Sequence, residues 1–374
     1  MNLPRRTLLK QALRLGSTSL VRALLPPLPK ADYYSDGLGT TTPVTQKPVI
    51  GFARALQWGV VIRTEPSLNA PQVGAITRDK VLPIYTEMQT QSGSNHNKLW
   101  YEVQGGYVFS ANVHPVRWQL NQPVTEIGKD GLWVEVSVPF ADPRLAPTES
   151  APINKYRFYG GTVYKATKAV QGQKVAYTDK PNLDVSQKEW WYQIEDEAFG
   201  GNFFVPARFM RPIAAEEFTP LSPDIAPEEK KIRVKLSEQR LYAYEREKEV
   251  FTCRTATGVK YSDDKDYSTT PGSFFIFRKT PGQHMYGGAV GDDGSFDLPG
   301  VPWVSYFTSS GIAIHGTYWH NDYGVVRSHG CANVLTDNAK WFWRWTMPLN
   351  NYSKRFTDVL NWKKDRGTSV VVEY

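Results

Sequence analysis

Ile312-Ala313-Ile314-His315-Gly316-Thr317-Tyr318-Trp319, followed closely by Ser328-His329-Gly330-Cys331-Ala332-Asn333, decides how this 374-residue chain is read. One thiol, two imidazoles and a glycine turn are packed into a short stretch. The chain holds two cysteines in all, Cys253 and Cys331, too few for a disulfide-stapled secreted scaffold. A thiol works as a nucleophile near neutral pH when an imidazole takes its proton. His329 and Cys331, two apart in an extended segment, share a face without necessarily meeting. His315 must return through space. The apolar run up to His315 predicts the end of a buried strand, and Gly324-Val325-Val326 offers the way back, which makes His315 the better general base. Gly330 can turn tightly and aim the backbone amides of Gly330 and Cys331 at a developing oxyanion.

The order of these blocks resembles the YkuD-type L,D-transpeptidases, which cross-link bacterial peptidoglycan through a cysteine acyl-enzyme. The resemblance starts at Ile232-Arg233-Val234-Lys235-Leu236, runs through Ala256-Thr257-Gly258, Thr270-Pro271-Gly272-Ser273-Phe274, His284-Met285-Tyr286 and Val301-Pro302-Trp303, and ends at the cysteine loop. It covers about 145 residues, the size of one domain. It implies a mainly β fold, a β-sandwich with a buttressing helix. It also implies that Cys331 is the nucleophile, His315 the base and the Gly316 carbonyl the group that orients the imidazole. His329 becomes a supporting residue, and Gly330 with Cys331 forms the oxyanion hole. Ser328 and Asn333 fix the loop and meet substrate; Trp319 and Met285 line the cleft. Many relatives carry Arg where Asn333 stands. The implied partners are peptidoglycan stem peptides, with carbapenem-type β-lactams as covalent inhibitors. No metal and no organic cofactor are implied. The implied reaction attacks the L-centre of a diamino acid in a stem tetrapeptide, releases D-Ala and passes the acyl group to an acceptor amine. Water as acceptor would give carboxypeptidase activity, and a non-catalytic wall-binding scaffold is the rival from another class.

Other chemistry is weaker. His315, His320, His329 and Cys331 match no common structural zinc spacing. In the NlpC-type wall endopeptidases, another resemblance to weigh, the nucleophile precedes its histidine; here the base comes first. Cys253 lies in a strand-like apolar run and reads as core. His284 reads equally as packing or cleft, and His96 and His114 as ordinary surface positions. Asp263-Asp264-Lys265-Asp266 and Asp292-Asp293-Gly294 read as solvated turns. After the loop, Thr336 to Trp345 predicts a capped helix ended by Pro348.

Upstream, the length allows two or three domains. Residues 50–117 carry short alternating strands, among them Trp100-Tyr101-Glu102-Val103 and Gly106-Tyr107-Val108, and resemble a bacterial SH3-like small barrel. Trp191-Tyr192-Gln193-Ile194 and Phe204-Val205-Pro206-Ala207 echo them, so 130–213 is expected to be a second copy, with exposed aromatics as possible wall contacts. Residues 214–230, rich in proline and acid, read as a stiff linker before a catalytic domain at 231–374. Residues 31–49 read as a second linker. Residues 1–30 open with Pro4-Arg5-Arg6-Thr7, which resembles a twin-arginine export signal and would place the protein in the cell envelope. Lys10, Arg14 and Arg22 interrupt its apolar segment, so no transmembrane span is expected. A net charge of +7 suits an anionic wall surface. No basic cluster with interleaved aromatics points to nucleic acid. Oligomeric state is not legible.

Overall fold

A computed structural model describes residues 47–173, 188–288, 294–359 and 367–374. The expected export signal, most of the 31–49 linker and Asp292-Asp293 lie outside the described residues. The chain is mainly β, as expected, and among the described residues one α-helix stands against twenty-five strands. No described helix is long and apolar enough to cross a membrane.

Two five-stranded sheets form the C-terminal sandwich. The first runs Lys248–Arg254, Arg240–Glu245, Lys230–Lys235, Ser369–Glu373, Gly272–Phe275. The second runs Ala332–Val334, Ala313–Gly316, Phe296–Tyr306, Arg278–Gly287, Thr357–Asp358. Helix α1, Thr336–Trp345, buries Ala339, Phe342, Trp343 and Trp345 against Ile314, Val334 and Trp303 in the core between them. It ends where two buried lysine side chains take its last carbonyls: Lys279 Nζ donates to Trp343 and Thr346, and Lys230 Nζ to Trp345. The end of a helix dipole favours a cation there, while burial pushes both lysines down from their ordinary pKa.

Residues 50–116 build a three-stranded and a five-stranded sheet around one apolar cluster that includes Val60, Leu82, Tyr101 and Val108. Residues 132–212 build another five-stranded sheet around Val134, Tyr192, Val205 and Met210. The two share a succession of elements. Leu99–Val103, Gly106–Phe109, a 3-10 turn Ser110–Asn112 and Val113–Val116 are matched by Lys188–Glu195, Asn202–Pro206, a 3-10 turn Ala207–Phe209 and Met210–Pro212. Trp100 and Trp191 occupy the same place in the two series, and both are buried. Those two tryptophans are therefore core residues of their units, whereas Trp58 and Phe199 are exposed.

The 214–230 segment is packed. It forms 3-10 turns at Ala215–Phe218 and Pro227–Glu229, and Phe218 joins the sandwich core. Its acids are anchored too: Glu217 pairs with Arg211 and Lys340, both contacts pulling its carboxyl down to about 2 against the cost of burial. Trp133, Val163 and Ile213, from the middle sheet and its exit, lie in that same core, and Trp133 Nε1 donates to the Tyr352 carbonyl at 2.8 Å.

Candidate active site

The strands Ala313–Gly316 and Ala332–Val334 lie side by side and parallel, with Ile314 opposite Ala332 and His315 opposite Asn333. Side chains alternate along a strand, so Ile314 and Ala332 enter the sandwich core while His315 and Asn333 take the other face. Continuing that register places Cys331 beside Ala313, on the His315 face and one diagonal step away. Ala313, Val301 and Val304 form a small apolar cluster there, and Cys331, Met285, Leu298, Tyr306 and Trp319 pack on it. The thiol and both expected cleft residues thus meet in one patch. The Trp319 ring lies 5.8 Å from the His315 ring.

His315 is 3% exposed, and its Nδ1 lies 2.8 Å from the Gly316 carbonyl oxygen. A carbonyl only accepts, so Nδ1 carries the hydrogen and Nε2 keeps its lone pair. Gly316 allows this because a Cβ there would lie 2.9 Å from Pro302 and from Thr336. Burial, with no carboxylate to offset it, pushes His315 down to about 4. Burial also pushes the Cys331 thiol up to about 11, with a weaker opposing hydrogen bond from the Ala313 backbone. The resting pair is neutral. The Cys331 Sγ–H points to the Gly311 carbonyl at 3.7 Å.

Gly330 has φ +112°, a backbone state that favours glycine. The turn is pinned from three sides. Thr269 Oγ1 donates to the Gly330 carbonyl at 2.7 Å. Ser328 Oγ donates to the Cys331 carbonyl at 2.5 Å and accepts the Gly330 amide at 3.2 Å. The backbone of Thr257 and Val259 bonds that of Arg327 and Ser328. The Gly330 amide, expected to face an oxyanion, is bonded to Ser328 Oγ here, and Ser328, expected to fix the loop and meet substrate, is buried as a fastener of the loop.

Asn333 is likewise turned inward, at 1% exposure, which removes it from the substrate surface. Its Nδ2 faces His320 Nε2 at 3.1 Å while its Oδ1 is buried without a partner. Rotating the amide by half a turn lets Oδ1 accept from a His320 Nε2–H, in accord with His320 Nδ1 accepting the Asp322 amide at 3.4 Å. Burial pushes His320 down to about 3. His329 is exposed, its ring 4.5 Å from Tyr267 and 5.7 Å from Phe296. It is flanked by aromatics and not by His315, and burial against them lowers its pKa. Cys253 is a core residue, its thiol pushed up to about 12 by burial.

Sequence alone missed Tyr306, whose hydroxyl lies close enough to Cys331 for the thiolate charge to add to burial in raising its pKa. It also missed His96 and His114, which are no ordinary surface positions. His96 Nε2 meets Asp322 at 2.8 Å and His114 Nε2 meets the Thr317 carbonyl at 3.0 Å, both on the loop that follows His315. No signal near either histidine reveals a partner more than two hundred residues away.

Residues 229–372 match the YkuD family, described as the L,D-transpeptidase catalytic domain. No curated protein matches the chain. Among solved structures, a cysteine-to-serine variant of the Enterococcus faecium L,D-transpeptidase is similar at 20% identity and a TM-score of 0.29, over 39% of this chain and 50% of that one. An L,D-transpeptidase from Mycobacterium smegmatis is similar at 14% identity and a TM-score of 0.30, over 68% of this chain and 99% of that one. An L,D-transpeptidase solved in complex with imipenem is similar at 13% identity and 0.30, over 56% and 90%. The chain spans about half the length of the first of these. The family likeness lies in the C-terminal sandwich, residues 229–372, where the chain matches the YkuD L,D-transpeptidase catalytic domain.

Proposed function

We propose that the protein is a cysteine-dependent peptidoglycan L,D-transpeptidase of the cell envelope. One observation carries this: His315 keeps Nε2 unprotonated by giving its Nδ1–H to the Gly316 carbonyl, on the strand face that Cys331 shares. A neutral thiol beside a neutral imidazole favours proton transfer during attack, not before it. Sγ bonds to the carbonyl carbon at the L-centre of the donor's diamino acid as Nε2 takes the thiol proton. The Cys331 amide is assigned to the oxyanion. The C–N bond to D-Ala then breaks, and Nε2–H protonates the departing amine, leaving a thioester. An acceptor amine attacks, its proton goes to Nε2, and the sulfur leaves and is reprotonated. General acid–base catalysis of this kind contributes on the order of 10²–10⁴ in rate.

Trp319 and Met285 are assigned to the cleft wall because both pack on the cluster that holds Cys331. His329 is assigned to the rim, with Tyr267. The units at 50–117 and 130–213 are taken as SH3-like modules on their shared succession of strands. Carbapenems are the expected covalent inhibitors, in keeping with the imipenem complex of the similar structure.

The test is incubation with a disaccharide-tetrapeptide followed by muropeptide analysis, alongside intact-mass measurement after exposure to imipenem. A cross-linked dimer and a single adduct, both absent in Cys331→Ala, are expected. Tripeptide alone would convert the assignment to a carboxypeptidase. An unmodified, inactive protein would leave a wall-binding scaffold.

A further inference from the structure

Three consecutive backbone carbonyls run outward from the base. The Gly316 oxygen takes the His315 Nδ1–H at 2.8 Å, the Thr317 oxygen lies 3.0 Å from His114 Nε2, and the Tyr318 oxygen accepts from Arg54 Nη2 at 2.5 Å. His114 and Arg54 belong to neighbouring strands of the 50–116 unit, in direct register with each other. A carbonyl can only accept, so His114 presents Nε2–H, the tautomer of a neutral ring, and burial holds it neutral.

The guanidinium of Arg54 is 2% exposed and built in. Its Nη1 pairs with Asp79 at 2.7 Å, and its plane lies 4.1 Å over Tyr159, which itself stacks on Tyr318 at 5.3 Å. Two more contacts close the loop: Asn321 Nδ2 donates to the Ser110 carbonyl at 3.1 Å, and His96 meets Asp322. The first unit therefore fixes the peptide planes that immediately follow Gly316. Rotating the Thr317 plane would turn the Gly316–Thr317 geometry with it and withdraw the acceptor from His315 Nδ1.

We infer that Arg54 and His114 are positioning residues for the catalytic base, so that the 50–116 unit completes an active site whose matched domain begins only at residue 229. The inference rests on the cysteine transferase assignment for its kinetic arm and on nothing but geometry for its structural arm. Without the donors, two buried carbonyls lose their partners, at the cost such groups carry. The loop relaxes, and His315 samples the other tautomer, in which Nε2 holds the hydrogen and cannot accept the thiol proton.

The experiment uses the full chain. His114→Leu removes the donor, and His114→Gln returns an N–H near the Nε2 position. Arg54→Met and Arg54→Lys do the same for the second carbonyl. The structural readout is the ¹⁵N imidazole spectrum of His315, which distinguishes the tautomers. Wild type and His114→Gln are expected in the Nδ1–H form, with His114→Leu and Arg54→Met losing it. The kinetic readout is the rate of Cys331 acylation by imipenem. A misplaced catalytic group costs on the order of 100-fold, so His114→Leu should slow acylation by about that factor. In a His315→Ala background the same substitution should change nothing further. An unchanged His315 tautomer in both His114→Leu and Arg54→Met overturns the inference, whatever the activity. So does equal slowing with and without His315, which would mark a general structural effect. A wild type that is not acylated at all, with the tautomer shift intact, refutes the transferase assignment and leaves the positioning role standing.

Discussion

His315 and His284 are equally buried, at 3% exposure each, yet their surroundings prepare them for opposite work. His315 faces one neutral carbonyl and is pushed down to about 4, so it rests as a free base. His284 lies between two carboxylates: Nδ1 contacts both oxygens of Asp196 at 3.1 Å, and Nε2 meets Asp297 at 2.6 Å. Burial opposes its charge, but the two carboxylates outweigh it and raise the pKa. Asp196 comes from the turn between Lys188–Glu195 and Asn202–Pro206 of the middle sheet and Asp297 from the sandwich, so His284 staples two parts of the chain together. Tyr156 and Phe199 set their ring edges against it. Both ring nitrogens are spoken for, which leaves no lone pair for catalysis. The comparison separates the proposed base from a fastener by the partners of the ring, where burial would not.

The largest effect that sharpens this contrast is on chemistry. Cys331→Ala should abolish the imipenem adduct, and His315→Ala should slow acylation by about 10²–10⁴; both are read by intact mass over time. His284→Leu should break the contrast from the other side. It leaves Asp196 buried opposite an apolar group and is expected to cost about 3 kcal/mol in urea unfolding, while the acylation rate per folded molecule stays near wild type. A rate loss as large as that of His315→Ala would sink the assignment of His284 as a fastener.

The pH dependences should also differ in sign. His315 and His320 have folded values of about 4 and 3 against 6.5 for the free ring, so the unfolded chain binds their protons first. Their contribution makes stability fall as pH drops below 6.5 toward 4. His284 has a raised folded value, so its contribution is full below 6.5 and is lost as pH rises through that value. The difference in urea midpoint between wild type and His284→Leu should therefore shrink as pH rises above 6.5, because the contribution that His284 makes is the one lost there. Acylation, which needs neutral His315, should stay level from about pH 6 to 9, with no acid limb near 6.5. The smallest effect belongs to Cys253→Ala, a core trim in which the adduct persists unchanged and stability falls by about 1 kcal/mol.

Much of the site was legible because it is local. The apolar run ending at His315 and the Ser328-to-Asn333 block carry their own strand and turn signals, and α1 carries its helix. What stayed hidden depends on distant chain. Arg54 and His114 reach the base loop from some two hundred residues upstream, and nothing in their neighbourhoods marks them. The inward turn of Asn333 needs His320 beside it, and the loss of the Gly330 amide needs the Ser328 rotamer. The neutral resting pair needs burial of both groups, which the motif does not encode.

Trp133 carries a last consequence. Its indole sits in the sandwich core and is tied to the Tyr352 carbonyl, although it belongs to a strand a hundred residues before the matched span. Melting the middle sheet would open a hole of indole size in the core that also holds Trp303 and Trp343, so the sandwich interior is incomplete without that sheet. Calorimetry should then record one heat-absorption peak for both. In a lineage, such a chain resists exchange of modules by recombination, because the seams of its sequence are not the joints along which the molecule comes apart.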